Sequence, residues 1–442
     1  MEPSAPRRSN FRLPLHPYAL PLLLILLIVI IQQAFKTDPG NGAHLSVGRS
    51  LVAGADIYPQ GTPYVYPPFT AFLMVPFAFV PLRVAQFIWC IISSVALAIL
   101  VQSAWKLSGG GALERWDQKS HANHWMLLLG CLCALRFAFN ALQHLSLDLL
   151  IVMLLLLGGR AALRQRFVWT AICWGLATAF KGPPLLFAGY LIWRGKWRAA
   201  GLMILVALAV NLLPDLVARP AEGGVWLTRW YHRFIEPLAS ANTPPGKWNA
   251  TITDNQSIAG AVNRWFLTTL LPSPDPDAGL IVSDRANTTS IQTLKRIVYT
   301  VDFALCLAVA LIMRPGRWPR AANPSAPAPS NTALEIGVVF LLILLLSPMT
   351  SRSLFCTMLL PAFCLARAAI AGKDKVAWWC LVVAITGSVL SFNTPLVRNF
   401  NREMLWMGII TLSALALLVG SLWLLQRQRT TAPASRSVPL LP

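Results

Sequence analysis

Negative charge is scarce in this sequence. Asp and Glu account for 17 of 442 residues against 37 Lys and Arg, and all charged residues together make up 12% of the chain. With 56% hydrophobic residues, that excludes a water-soluble globular protein and describes a chain whose solvent is mostly lipid. Cysteine is missing from the stretches between hydrophobic segments. All eight (Cys90, Cys131, Cys133, Cys173, Cys306, Cys356, Cys364 and Cys380) fall inside apolar runs and read as free core thiols. Cys131 and Cys133 have no partner pair elsewhere, which removes a metal or redox motif. A concentrated basic patch is also missing. The net charge of +20 is spread in short clusters at the ends of hydrophobic segments, so it argues against nucleic acid and for membrane orientation.

What the chain does have is a series of apolar stretches from Leu20 to Leu425, each near the length needed to cross a bilayer. The first is not followed by a small-residue cleavage pattern and reads as a retained helix rather than a signal peptide. Cytoplasmic clusters at Arg7-Arg8-Arg12, Lys106 to Lys119, Arg160-Arg164-Arg166, Arg194-Lys196-Arg198, Arg314-Arg317-Arg320, Lys373-Lys375 and Arg427-Arg429 fix the topology. They predict twelve helices near 17–35, 84–105, 123–140, 147–163, 167–181, 183–194, 199–214, 296–313, 332–348, 353–370, 375–391 and 404–425, with both termini in the cytoplasm. Tyr66 to Pro81, interrupted by proline, is read as a re-entrant or surface element. The pair 167–194, split by Lys181-Gly182-Pro183-Pro184, is short for two crossings and reads as a helical hairpin. This gives a cytoplasmic segment 1–16, a transmembrane domain 17–425 with outer loops 36–66 and 215–295, and a disordered cytoplasmic tail 426–442.

Long loops carry function more often than short connectors do. Asp38 follows the first helix by a few residues, which keeps its carboxylate at the membrane surface where a lipid-borne head group would lie. Asp56, in Gly-Ala-Asp-Ile-Tyr, is a second candidate base or a turn-capping carboxylate. Cationic groups suited to a phosphate on the outer face are Arg49, Lys181, Arg264, Arg352, Arg398 and Arg402. Lys181 is the most informative, because a lysine at an apolar hairpin turn is costly unless it is paired or faces a polar cavity. His144 reads as a phosphate or sugar ligand or as a helix-end histidine. Asp148 and Asp302 read as cavity-facing or as interhelical hydrogen-bonding groups. Trp226 and Trp230 read as interfacial anchors.

In order along the chain stand Asp38, Arg49, Gly54, Tyr58 and Tyr66-Pro67-Pro68. Asn140 to Gln143 and Asp148 follow, then Ala179-Phe180-Lys181-Gly182-Pro183-Pro184 with Tyr190 and Arg194 to Arg198. Asn255-Gln256-Ser257 with Arg264, and Leu346-Ser347-Pro348 leading to Leu359-Leu360-Pro361, complete the series. Over roughly residues 36 to 370 this order resembles the polytopic mannosyltransferases of glycosyltransferase family 87, which use polyprenyl-phosphate-mannose, and the related mannosyltransferase of GPI-anchor synthesis. The sequence departs from the family pattern at Pro39-Gly40-Asn41, Gln143 to Ser146 and Arg352-Ser353.

The resemblance implies an all-α polytopic GT-C fold. The activity it implies is transfer of a hexose, mannose first among them, from a polyprenyl-phosphate donor to a lipid or glycan acceptor at the outer face. Asp38 matches the family's base, with Asp56 the runner-up. Tyr58, His144, Lys181, Asn255, Gln256, Arg264, Arg49 and Arg352 are the implied substrate contacts. No metal and no cofactor is expected, the lipid-linked donor being a co-substrate. The expected location is a bacterial inner membrane with the site on its periplasmic side. Inverting transfer needs a base at the acceptor hydroxyl and donors at the departing phosphate, which agrees with these residue types. A multi-pass transporter or flippase of a lipid-linked or small anionic substrate is the alternative, since broken helices and buried charge also mark transport pathways.

Overall fold

The structure, a computed structural model, describes residues 43–62, 64–111, 121–247, 253–274, 279–285, 289–313, 315, 330–392 and 398–431. Its helices are α1 (Ala43–Val52), α2 (Leu82–Leu107), α3 (His121–Gln143), α4 (Asp148–Leu163), α5 (Phe167–Phe180), α6 (Leu186–Trp193), α7 (Trp197–Asn211), α8 (Ile258–Leu267), α9 (Ile291–Met313), α10 (Asn331–Leu346), α11 (Leu359–Ile370), α12 (Lys375–Leu390), α13 (Arg398–Met407) and α14 (Ile409–Thr431). Among the described residues, α2, α3, 197–216, α9, 352–370 and 409–430 are long and apolar enough to cross a membrane, and α5, α10, α12 and 183–193 are shorter apolar helices. The protein is therefore an integral membrane protein built almost wholly from helices. The spans expected between 84–105 and 375–391 fall on helices. The expected first span, 17–35, lies outside the described residues.

Helices with apolar side chains on all faces bury themselves against one another and against lipid. Where the packing is tightest, a glycine makes room. The Trp174 indole of α5 lies against Gly158 of α4, where an added Cβ would stand 2.4 Å from the ring, and its Nε1 donates to the Leu155 carbonyl at 2.9 Å. The cationic ends of the helices meet at one end of the bundle. There Arg367 donates to the Ser108 carbonyl at 3.4 Å, Arg427 pairs with Asp374, and Arg194 pairs with Glu335. The turns after α3, α5, α10 and α12 meet at the other end, where Lys181 pairs with Asp148, Ser353 donates to Asn140 and Arg136 donates to the Ser391 carbonyl.

Residues 66–81 form a six-residue helix, Pro68–Leu73, and a 3-10 turn, Val75–Phe79, and so do not cross. The side chain of Asn211, buried at the end of α7, accepts the Phe69 N–H at 3.0 Å and ties this element to the bundle. Three features depart from the sequence reading. The loop 215–295 contains a hairpin of β1 (Thr268–Pro272) and β2 (Leu280–Asp284), paired antiparallel from Thr268↔Asp284 to Pro272↔Leu280. The span expected at 404–425 is broken at Gly408, whose φ of +83° ends α13 before α14 begins. The tail expected from 426 onward is helical as far as Thr431, because α14 continues through it, and 432–442 lie outside the described residues.

Candidate functional site

Helix length explains where the site forms. α5 has 14 residues, and α4 and α10 have 16 each, so they span about 21 to 24 Å at 1.5 Å per residue, against about 30 Å of hydrocarbon. Asp148 begins α4, Lys181 follows the last residue of α5, and Ser347 to Ser351 follow α10. These ends meet in a floor at one end of the bundle, beside the longer helices α2, α3 and α14 of 26, 23 and 23 residues.

On that floor, Lys181 Nζ lies 3.0 Å from Asp148 Oδ1, and Ser351 Oγ donates to Asp148 Oδ2 at 2.9 Å. Asp148 is 1% exposed and Lys181 17%. Buried carboxylates need such partners, because transfer of an unpaired charge from water costs several kcal/mol. The Lys181 ammonium also reaches Ser351 Oγ at 3.4 Å. It carries three donors, so one remains for a ligand. Lys181 and Ser351 line a cavity of about 330 Å³ closed by Tyr66-Pro67 and Trp230 on one side and by Ser347 to Met349 on the other. Its walls are otherwise largely apolar.

Behind Tyr66 lies His44 of α1. It is buried, its ring is 6.4 Å from Tyr66 and 5.3 Å from Trp89, both edge-on, and its Nε2 has no hydrogen-bond partner among the described residues. Burial pushes the imidazole down to about 4 from 6.5, against the opposing pull of the Asp148 carboxylate. The group is thus neutral in the folded protein at pH 7. The unfolded chain binds its proton below about 6.5 and the folded chain only near 4, so stability falls as pH drops through that window, by on the order of 3 kcal/mol. His44→Phe should flatten this part of the stability profile, measured as unfolding temperature from pH 7 to pH 4.

The other residues singled out from sequence serve mostly to hold the outer loops in place. Asp38 lies outside the described residues. Arg49 is exposed and donates to the Ala78 and Val80 carbonyls of the 3-10 turn. Asp56 accepts the Tyr58 N–H at 2.9 Å and pairs with Arg229 at 3.0 Å, the turn-capping alternative. Tyr58 is buried, stacks on Tyr64 at 5.6 Å and donates to the Tyr66 carbonyl at 3.0 Å, which sets the cavity wall. His144 is exposed, its Nδ1 2.9 Å from the Asn140 carbonyl one turn back.

Asn255 is a knot between segments. It donates to the Gly246 and Pro348 carbonyls at 2.9 Å each and accepts the Thr350 N–H at 3.0 Å and the Ser257 hydroxyl at 2.9 Å. Gln256 donates to the Thr350 and Leu405 carbonyls, Arg264 donates to the Trp406 and Asn255 carbonyls, and Arg352 pairs with Asp254. Arg402 donates to the Leu280 carbonyl. The expectation that Trp226 and Trp230 anchor at the membrane interface does not hold. Trp226 is buried against Tyr58, with its Nε1 on the Ala218 carbonyl, and Trp230 lines the cavity with its Nε1 on the Val65 carbonyl.

Sequence reasoning missed His44, Tyr66 and Ser351 as site residues. Asp148 stood open between cavity and interhelical roles, and the structure gives it the interhelical one, buried against Lys181 and Ser351. The available signal was the buried acid itself: a carboxylate at the start of an apolar helix calls for a cation across the bundle, and Lys181 was the recessed one.

The profile of glycosyltransferase family 87 matches residues 64–348. A polyprenol-phosphate-mannose-dependent alpha-(1-2)-phosphatidylinositol pentamannoside mannosyltransferase of Mycobacterium tuberculosis (strain CDC 1551 / Oshkosh) is 26% identical over 262 residues, covering 55% of this chain and 56% of that protein. The chain thus spans about half the length of this curated relative. Among solved structures, ArnT from Cupriavidus metallidurans in the apo state covers 93% of this chain with 77% of its own, at 12% identity and a TM-score of 0.37.

Proposed function

We propose that this chain, which belongs to glycosyltransferase family 87, is a membrane hexosyltransferase of GT-C architecture. It moves mannose from a polyprenyl-phosphate donor to a glycolipid acceptor at the outer face. The observation that carries this reading is the Lys181 ammonium, anchored by Asp148 and Ser351 yet open to a recessed, largely apolar cavity. A prenyl phosphate has both characters that such a cavity serves, a flexible apolar chain and an anionic head. The family membership and the donor named for the mycobacterial relative support the same donor class.

In this mechanism the acceptor hydroxyl attacks the anomeric carbon as its bond to the phosphate oxygen breaks, and the polyprenyl phosphate leaves with one additional negative charge. Lys181 stabilises that charge in a site of low dielectric, where a fixed cation is worth more than in water. Asp38 takes the hydroxyl proton. Asp56 is less suited, since both its oxygens are engaged by the turn and by Arg229. No metal or cofactor step is required.

The test uses purified protein in lipid nanodiscs, radiolabelled polyprenyl-phosphate sugars and a membrane-lipid extract as acceptor. The wild type is expected to transfer label, mannose best, and Asp38→Asn to lower the rate at least a hundred-fold, in keeping with the usual worth of a general base. Transfer that survives the substitution would move the base to Asp56, and no transfer from any donor would overturn the enzyme reading.

A further inference from the structure

Residues 128, 132 and 136 of α3 follow one another on a single helical stripe. Leu128 and Leu132 are 46% and 43% exposed, so this stripe faces lipid. Its third member is an arginine. Arg136 Nη2 donates to the Ser391 carbonyl, and the guanidinium carbon lies 4.9 Å over the Phe392 ring and 5.6 Å from that of Phe137. Nε and Nη1 are buried and have no hydrogen-bond partner among the described residues. The charged neighbour that reaches the group is a second cation, Arg352, whose own carboxylate partner is Asp254.

A guanidinium keeps its charge throughout the physiological range, so Arg136 holds a buried positive charge with N–H groups unmatched. Leaving it so is unfavourable by several kcal/mol unless an anion completes it. The face on which the group lies identifies the anion. Arg136 lies seven residues before the end of α3, about 10 Å below its outer end, and its side chain climbs toward Ser391 and Arg352 at the outer ends of α12 and of the 352–370 stretch. A cation on a lipid-facing stripe is reached from the bilayer, so the anion that completes it is one carried by a lipid.

We propose that Arg136, with Arg352 beside it, is a binding site for the phosphate group of an anionic membrane lipid that enters sideways from the outer leaflet, Phe392 swinging aside to admit it. The planar fork of Arg136 suits two phosphate oxygens at once. The adjoining chain segment also touches the cavity: Ser351 bonds Asp148, while Ser353 Oγ donates to Asn140 Oδ1 on α3 at 2.8 Å. The site is thus next to the Lys181 floor but distinct from it, and stands independently of the transferase reading.

The test measures binding by the full chain in detergent, using native mass spectrometry and the unfolding temperature. The probes are dioleoylphosphatidylglycerol, dioleoylglycerol as the same lipid without phosphate, and sodium phosphate. Wild type should retain and be stabilised by phosphatidylglycerol, and Arg136→Met should raise the apparent Kd at least tenfold. Arg136→Lys, which keeps the charge without the fork, should fall between the two. In the absence of lipid, Arg136→Met should be at least as stable as wild type, since the group it removes is unmatched. Equal binding of phosphatidylglycerol by Arg136→Met, or equal stabilisation by dioleoylglycerol, would overturn the proposal. An Arg136-dependent shift with sodium phosphate alone would assign the site to a free anion instead of a lipid. A methionine variant that unfolds in detergent would show that the guanidinium serves the fold through Ser391 and Phe392, and would overturn the proposal as well.

Discussion

Lys181→Met is expected to lower transfer per folded molecule about a thousand-fold or more, the scale seen when a positively charged group is removed from a departing phosphate. The single variant should also be destabilised. Asp148 is 1% exposed, and the loss of its ammonium partner leaves a carboxylate held only by Ser351, a change that usually costs about 3 to 5 kcal/mol. Adding Asp148→Asn separates the two effects. The double variant has a neutral pair at the same position, with an amide that can still accept from Ser351, so its unfolding temperature should return to within a few degrees of wild type. Its transfer rate should not recover. Recovery of transfer with stability would mean that Lys181 serves only as the counter-ion of Asp148 and that the phosphate is held elsewhere.

That test depends on a relation only partly legible in the sequence. The positive-inside clusters and the short 167–194 pair predict Lys181 at the end of the bundle away from the basic clusters, and the structure has it there, directly after the 14-residue α5. The partner was harder to see. Asp148 stands 33 positions away and Ser351 170 positions away, and pairings of that separation follow from how helices pack rather than from periodicity. The same reason explains the outer arginines. Arg49, Arg264 and Arg352 read from sequence as cations available to a phosphate. In the structure they bind backbone carbonyls or a carboxylate of loops that fold over the bundle. Such loops carry many carbonyls that no helix satisfies, and arginine is well suited to meet them. Asn255 and Gln256 show it too, knotting the 253–257 turn to Thr350, next to the site serine.

At the other end of the bundle a second buried ion pair is expected to carry stability and no chemistry. Glu335 is 2% exposed and accepts from Arg194 Nε at 3.1 Å and from the Tyr190 hydroxyl at 2.8 Å, while Arg194 Nη2 also donates to the Met313 carbonyl at 3.0 Å. This network joins α6, the end of α9 and α10 among apolar side chains. Glu335→Gln leaves the guanidinium without a countercharge and should lower stability by about 3 to 5 kcal/mol. Replacing both residues, Arg194→Met with Glu335→Met, should recover most of that loss, because a well-packed apolar pair often equals or exceeds a buried ion pair. Transfer per folded molecule should stay within a few-fold of wild type in the double variant, since Arg194 lies at the cationic end of the short helix that follows Lys181. Measuring unfolding temperature and radiolabel transfer on the same preparations decides it. A large loss of transfer in a fully folded double variant would mean that the position of α6, and with it the Lys181 turn, is set from the far end of the helix, so that the cavity floor depends on this pair as well.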